Sequence, residues 1–207
     1  MRSGGHVSAL IGAGGHGLDA FCGNGYGAEL LSRTRTVLGL DGSSEAVAFT
    51  NQHFKSPRTL YAHAYWPFEW PHETYDFVVS LESLEHVPDG DLFFAALVRS
   101  IKPGGHLIFS TPNEDLLPHA STGNHFHFRH YTLAESLDLA RNAKLDIVAW
   151  ASQDCYQIDD GRQGALLHES QFRLKPKIAG QFTIIASASQ SRDSFACAGL
   201  FPSHKPS

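Results

Sequence analysis

The chain has 207 residues, 42% of them apolar and 18% charged, with 16 Lys and Arg against 21 Asp and Glu for a formal net charge of −5. That length suits one domain with a sizeable core, and the deficit of positive charge argues against a DNA or anionic-membrane partner, whose binding needs neutralised phosphates. No apolar run approaches the roughly 20 residues of a membrane span. The N-terminus lacks the apolar core of a secretory signal, and Cys22, Cys155 and Cys197 have no zinc-site spacing, so a cytoplasmic protein with reduced thiols is expected.

Short β-rich runs alternate with amphipathic helical patterns from residue 16 to about 150. HGLDAF (16–21) reads as a strand, followed by the turn CGNGYG and a helix, AELLSR. TVLGLD (36–41) is a second strand, and SSEAVAFTNQHF a second helix with Ser43 or Ser44 as N-cap. TLYAH (59–63) is a third strand, and YDFVVSL (75–81), apolar on both faces, a buried parallel fourth. A helix follows over 90–101, then KPGG (102–105) as a Pro-Gly turn leading into the strand HLIFST. Thr132 and Glu135 form a capping-box pattern at the head of a helix over 132–143, and LDIVAW (145–150) is a sixth strand. QFTIIASAS (181–189) is the last, its connection to the sixth most simply a long hairpin with a turn at Asp159-Asp160-Gly161.

The expected fold is α/β: a Rossmann-like, doubly wound seven-stranded sheet, mostly parallel with an antiparallel last strand. Residues 1–189 are read as one domain, with a core at 16–150, a hairpin over 151–189 and a flexible tail at 190–207.

Two glycine motifs compete for a ligand. GAGGHG (12–17) matches the dinucleotide fingerprint G-x-G-x-x-G, but a strand and another glycine loop follow it where a helix should open. The second has the right context. Asp19 ends a strand, CGNGYG turns, and a helix opens near Ala28, so that Gly23 and Gly25 let the backbone approach a ligand. Asp41 lies at the carboxyl end of the second strand, where an acid accepts the hydroxyls of a ribose.

These residues resemble the class I S-adenosylmethionine-dependent methyltransferases. The likeness covers about 16–150 and rests on LDAFCGNGYG, VLGLDGSSEAV, WPFEWPHETYDFVVSLESLEHVPD and IKPGGHLIFSTPN, in that order. The branch looks like the ubiquinone-type and glycan-associated enzymes. The resemblance implies S-adenosylmethionine as cofactor. It places Asp19, Cys22, Gly23, Asn24 and Gly25 around the methionine end, Asp41 and Gly42 at the ribose, and Leu81 and Glu82 beside the sulfonium. Two departures stand out: Phe21 occupies a usual glycine position, and YAHAYWPF lacks the acid that contacts adenine, leaving His63 as a substitute.

Glu82, Glu85 and His86 have the i, i+3, i+4 spacing of one helical face. NHFHFRHYTLAE (124–135) adds His125, His127 and His130. The trio resembles that of ubiquinone-biosynthesis enzymes, and with His127 that of small-RNA 2′-O-methyltransferases. Glu82, Glu85, His86 and His127 are therefore candidate ligands for Mg²⁺ or Mn²⁺. The alternatives are His86 as a metal-free catalytic base, or a structural role. His125 and His130 read as loop packing or solvent-facing residues, and Tyr131 as core. The expected activity is O-methylation of a small-molecule acceptor with a vicinal diol, a sugar hydroxyl or a catechol-like phenol, by a monomer or homodimer. The rivals are an RNA 2′-O-methyltransferase, opposed by the acidic balance, a nicotinamide oxidoreductase resting on GAGGHG, and a catalytically silent binding protein.

Overall fold

A computed structural model describes residues 13–159, 162–166 and 179–189. In chain order the elements are β1 (His16–Ala20), α1 (Tyr26–Leu31), β2 (Thr36–Asp41), α2 (Ser44–His53), β3 (Thr59–His63) and β4 (Tyr75–Leu81). There follow a 3-10 turn (Leu84–His86), α3 (Gly90–Ser100), β5 (Ile101–Pro112), the short α4 (His119–Thr122), α5 (Leu133–Asn142), β6 (Leu145–Asp159), β7 (Arg162–Leu166) and β8 (Ala179–Ala188). They form one sheet in the order β3-β2-β1-β4-β5-β8-β6-β7. The first five strands in that order pair parallel. β8 runs antiparallel between β5 and β6, and β7 pairs antiparallel with the far end of β6. This is the expected doubly wound sheet with one further edge strand, β7.

The near-continuous apolar runs of the central strands serve two faces at once, because successive side chains of a strand point oppositely. Val78 of β4 and Leu107 and Phe109 of β5 join one buried cluster with Phe93, Leu97 and Ile101. Phe77, Val79 and Ile108, their alternating neighbours, join a second with Val37, Tyr61 and Ile185.

Local signals behave as the residues dictate. Ser43, rather than Ser44, is the N-cap of α2, its side chain accepting from the Ala46 N–H at 3.1 Å. Thr132 and Glu135 complete the capping box of α5. Two expectations need correction. Residues 102–105 are not a turn ahead of the strand. β5 runs through them from Ile101, and the ladder shifts register between Tyr75↔Ile101 and Phe77↔His106, with Gly104 at φ 76 taking up the irregularity. β6 also continues well past residue 150, because its antiparallel pairing with β8 extends to Tyr156. The proposed turn at Asp160 and Gly161 and the tail from residue 190 lie outside the described residues.

The strand order reverses between β1 and β4. In open α/β sheets ligands bind outside the carboxyl ends of the strands at such a point. The ends of β1, β2 and β4 carry Asp19, Asp41 and Leu81-Glu82 there.

Candidate active site

The loop after β1 is built to bend. The Cys22 N–H donates to the Leu40 carbonyl at 2.9 Å, and the Gly25 N–H closes a turn onto the Cys22 carbonyl at 2.9 Å. Gly25, the N-cap of α1, has φ 76, and a Cβ there would lie 2.6 Å from Thr50 Cγ2. Only glycine fits that position. The Tyr61 hydroxyl donates to the Gly25 carbonyl at 3.3 Å and holds the turn from below.

Phe21 keeps the bend that a glycine would provide, with φ 60 in the left-handed region. Its ring does not enter the crevice. It packs against the core and meets the Phe93 ring at 5.1 Å between centroids. Aromatic packing thus offsets a strain of about 1–2 kcal/mol.

Asp41 is oriented by the loop itself. The Gly23 N–H donates to Oδ2 and the Ser43 N–H to Oδ1, each at 2.8 Å. Gly42 is tied through its carbonyl to His63 Nε2 at 3.0 Å, which holds His63 at the end of β3 beside the Asp41 strand end. Asn24 is exposed on the loop. Asp19 is buried, and its carboxyl is pushed up to about 7, by burial first and by the Asp41 charge second, with a backbone hydrogen bond from Ala28 opposing. The two neighbouring carboxyls make a crevice that favours a positive group.

Beyond β4 the chain turns sharply, with Glu82 at φ 52. The Glu82 carboxylate accepts from the Ser110 hydroxyl at 2.7 Å, and the Glu82 N–H donates back to that oxygen at 3.0 Å. Glu82 therefore precedes the helical turn, which covers only Leu84–His86, and does not share a helical face with Glu85 and His86. The spacing overestimated the helix because the left-handed residue interrupts it. Glu85, His86 and His127 do come together, one ligand atom from each lying within 4.8 Å of the others. Glu82 is not part of that group.

Glu85 is fully buried, and neither carboxylate oxygen has a hydrogen-bond partner among the described residues. Burial, then the Glu82 charge, pushes its carboxyl up to about 9. Residues 126–128 are strapped over the turn. The Phe128 N–H donates to the Glu85 carbonyl at 2.7 Å, and the Phe126 carbonyl lies 3.0 Å from His86 Nδ1. A carbonyl only accepts, so His86 Nδ1 carries a proton, and in the neutral ring Nε2 holds the lone pair. The His127 ring stands edge-on to His86 at 4.6 Å. A buried carboxyl without a partner and two imidazoles is a donor set that suits a divalent ion, with nitrogen favouring Mn²⁺.

Several site residues carry no distinct signal in the sequence. Ser110, which pins Glu82, lies within the STPN motif but looks like any strand serine. His130 is buried within the loop, as a packing residue would be, and is hydrogen-bonded to His127. His125 is exposed, Tyr131 is core, Trp66 and Trp70 pack in the aromatic core, and Phe126 and Phe128 project outward. Residues 13–15 lead straight into β1, which already contains His16 and Gly17, so no helix opens where the dinucleotide reading needs one.

Residues 6–153 match the methyltransferase domain family. The chain belongs to the class I S-adenosylmethionine-dependent methyltransferases. It is 35% identical over 136 residues to a Mycolicibacterium smegmatis protein named as a probable S-adenosylmethionine-dependent methyltransferase, covering 63% of this chain and 51% of that one. With the ubiquinone biosynthesis O-methyltransferase of Aliivibrio fischeri it shares 36% identity over 104 residues, 48% of this chain and 44% of that enzyme. The chain thus spans about half the length of these curated relatives. Its fold matches an S-adenosylmethionine dependent methyltransferase from Mesorhizobium loti, with TM-score 0.69, 16% identity, and 88% and 96% of the two chains covered. It also matches a chain from the complex of the Haloferax volcanii Trm112 methyltransferase activator with a methyltransferase, with TM-score 0.73, 19% identity, and 91% and 89% covered. Among the described residues no helix is long and apolar enough to cross a membrane.

Proposed function

We propose that this methyltransferase moves a methyl group from S-adenosylmethionine to one oxygen of a small-molecule vicinal diol, a sugar hydroxyl or a catechol-like phenol, with a divalent ion at Glu85, His86 and His127. The observation that carries this reading is the fully buried Glu85 carboxyl, without a hydrogen-bond partner and flanked by two imidazoles. Asp19 and the loop 22–25 would hold the amino-acid end of the cofactor, Asp41 and Gly42 its ribose, and His63 the adenine side. When bound, S-adenosylmethionine supplies an electrophilic methyl, and a divalent ion supplies charge that lowers the pKa of a nearby hydroxyl. The chain's own contribution is alignment. Ser110 fixes Glu82 beside the end of β4, and the 126–128 strap fixes His86. Phe126 and Phe128, on the strap that binds Glu85 and His86 through its backbone, have exposed rings that would offer an aromatic or sugar acceptor a packing surface.

A second reading is favoured by the hydrogen bond from His86 Nδ1–H to the Phe126 carbonyl. It leaves Nε2 a lone pair with which His86 would take the acceptor proton without any metal. Transfer from labelled S-adenosylmethionine to a panel of catechols and sugars, with EDTA and then with added Mn²⁺, separates the two. Loss of transfer in EDTA and its return with Mn²⁺ supports the metal. Unchanged transfer ends the metal reading and leaves His86 as base, and no transfer to any diol removes the proposed acceptor class. The fold likeness to a chain from a complex with a methyltransferase activator makes a protein partner a further proposal, tested by whether the isolated chain turns over.

A further inference from the structure

His127 is not held by its own loop alone. Next to it lies a chain of polar contacts through His130 that the proposed chemistry does not use. His130 is almost completely buried, at 3% exposure. Its Nδ1 lies 2.8 Å from the Leu117 carbonyl, and its Nε2 lies 2.7 Å from His127 Nδ1. Its ring stands 5.2 Å from that of His119, and Glu114 Oε2 approaches Nδ1 at 3.8 Å, too far for a hydrogen bond.

These contacts assign the protons. The Leu117 carbonyl has only lone pairs, so His130 Nδ1 must be the N–H. At 3% exposure, and with Glu114 outside hydrogen-bond distance, nothing among the described residues offsets the cost of burying a charge on this ring, so a neutral His130 leaves the lone pair on Nε2. The short contact to His127 then requires His127 Nδ1 to donate. A neutral His127 with its proton on Nδ1 has one lone pair to offer, on Nε2. His86 reaches the same state by a different route, through the Phe126 carbonyl. Both imidazoles beside Glu85 are therefore set in the same tautomer by partners outside the site.

We propose that His130 is a positioning residue: by accepting a hydrogen bond from His127 Nδ1 it fixes the tautomer in which His127 Nε2 is a lone-pair donor beside Glu85 and His86. The purpose assigned to that lone pair rests on the function proposed above, but the tautomer does not. A side chain in this position that cannot accept leaves His127 free to place its proton on either nitrogen. Second-shell partners of this kind typically govern ligand affinity by 10- to 100-fold.

The test uses the full chain with 15N-labelled histidine, and long-range 1H–15N correlation spectra that distinguish protonated from bare ring nitrogens. Wild type should show His127 with a protonated Nδ1 and a bare Nε2. His130→Phe, which keeps a buried ring but cannot accept, should give His127 a mixture of tautomers. His130→Gln can donate to Leu117 and accept from His127 through one amide, and should restore the wild-type pattern. Mn²⁺ titration by calorimetry should weaken about 10- to 100-fold in His130→Phe and return to within a few-fold in His130→Gln. S-adenosylhomocysteine affinity should stay constant in all three, which also reports that each is folded. His127 protonated on Nε2 in the wild type, or an unchanged tautomer in a folded His130→Phe, overturns the proposal. If wild type binds no Mn²⁺ but the tautomer still depends on residue 130, the metal reading fails and the positioning role stands.

Discussion

Replacing Asp19 by Asn isolates the electrostatics of the cofactor crevice. Burial, with the Asp41 charge behind it, raises the Asp19 carboxyl from 3.8 to about 7. The folded state therefore keeps a proton that the unfolded chain loses first, so the stability this group contributes is full below about pH 4 and falls as pH rises toward 7. A gap of about three units makes the ionised group cost about 4 kcal/mol at pH 8, and about 1.5 kcal/mol at pH 5, where only the unfolded carboxyl has ionised. Asn cannot ionise. The stability of Asp19→Asn minus that of wild type should thus grow by about 2 to 3 kcal/mol between pH 5 and pH 8, since every other titration cancels in the difference. Urea unfolding of both proteins at the two pH values reads it directly. Parallel pH profiles would refute the reasoning, because they would mean that Asp19 is already ionised at little cost. At pH 8 the same substitution should weaken S-adenosylhomocysteine at least tenfold, so a more stable apoprotein should bind its ligand less well.

Three further outcomes follow from the site. Phe21→Gly removes backbone strain of about 1–2 kcal/mol but loses a packed ring of about 2–3 kcal/mol, so it should lower stability by about 1 kcal/mol in chemical denaturation. Because the ring faces Phe93 and not the crevice, S-adenosylhomocysteine affinity should move less than threefold, and a larger gain would mean that the ring obstructs the ligand. Gly25→Ala combines positive φ with overlap on Thr50 and should cost more than about 1 kcal/mol and abolish cofactor binding in a thermal-shift titration. Glu85, raised from 4.5 to about 9, keeps at pH 7 a proton that the unfolded chain has lost, so Glu85→Gln should be more stable than wild type there while removing the response to Mn²⁺. The advantage of the Gln variant should grow between about pH 5 and pH 9 and level off above it, where the folded carboxyl ionises as well, as thermal melts will show.

The parts of this protein that were legible in its sequence are those where local chemistry and tertiary demand agree. β4 matches its reading at both ends, because a run apolar on both faces has no other home than the middle of a sheet. The capping box of α5 and the Ser43 cap are local hydrogen bonds that need no partner from afar. The loop Cys22–Gly25 was readable because its glycines answer to backbone geometry and to one contact, Thr50.

The failures have a common cause as well. KPGG looks like a turn, but the β4 ladder absorbs it as an irregularity in β5, a long-range effect that no local window contains. The spacing of Glu82, Glu85 and His86 suggested one helical face. Ser110, 28 residues away, instead draws Glu82 aside and stabilises its left-handed backbone. His130 was passed over because its role depends on the Leu117 carbonyl and on His127, which the fold alone brings together. Phe21 signalled a departure correctly, yet its consequence could be read only from where the ring goes.

The central claim is that the crevice between the ends of β1 and β2 holds the methyl donor. Calorimetric titration of the full chain with S-adenosylhomocysteine, alongside an Asp41→Ala variant of equal thermal stability, tests it most directly. Saturable one-to-one binding to the wild type, weakened at least tenfold in the variant, is the expected result. No binding to the wild type, or equal binding to both proteins, would contradict it.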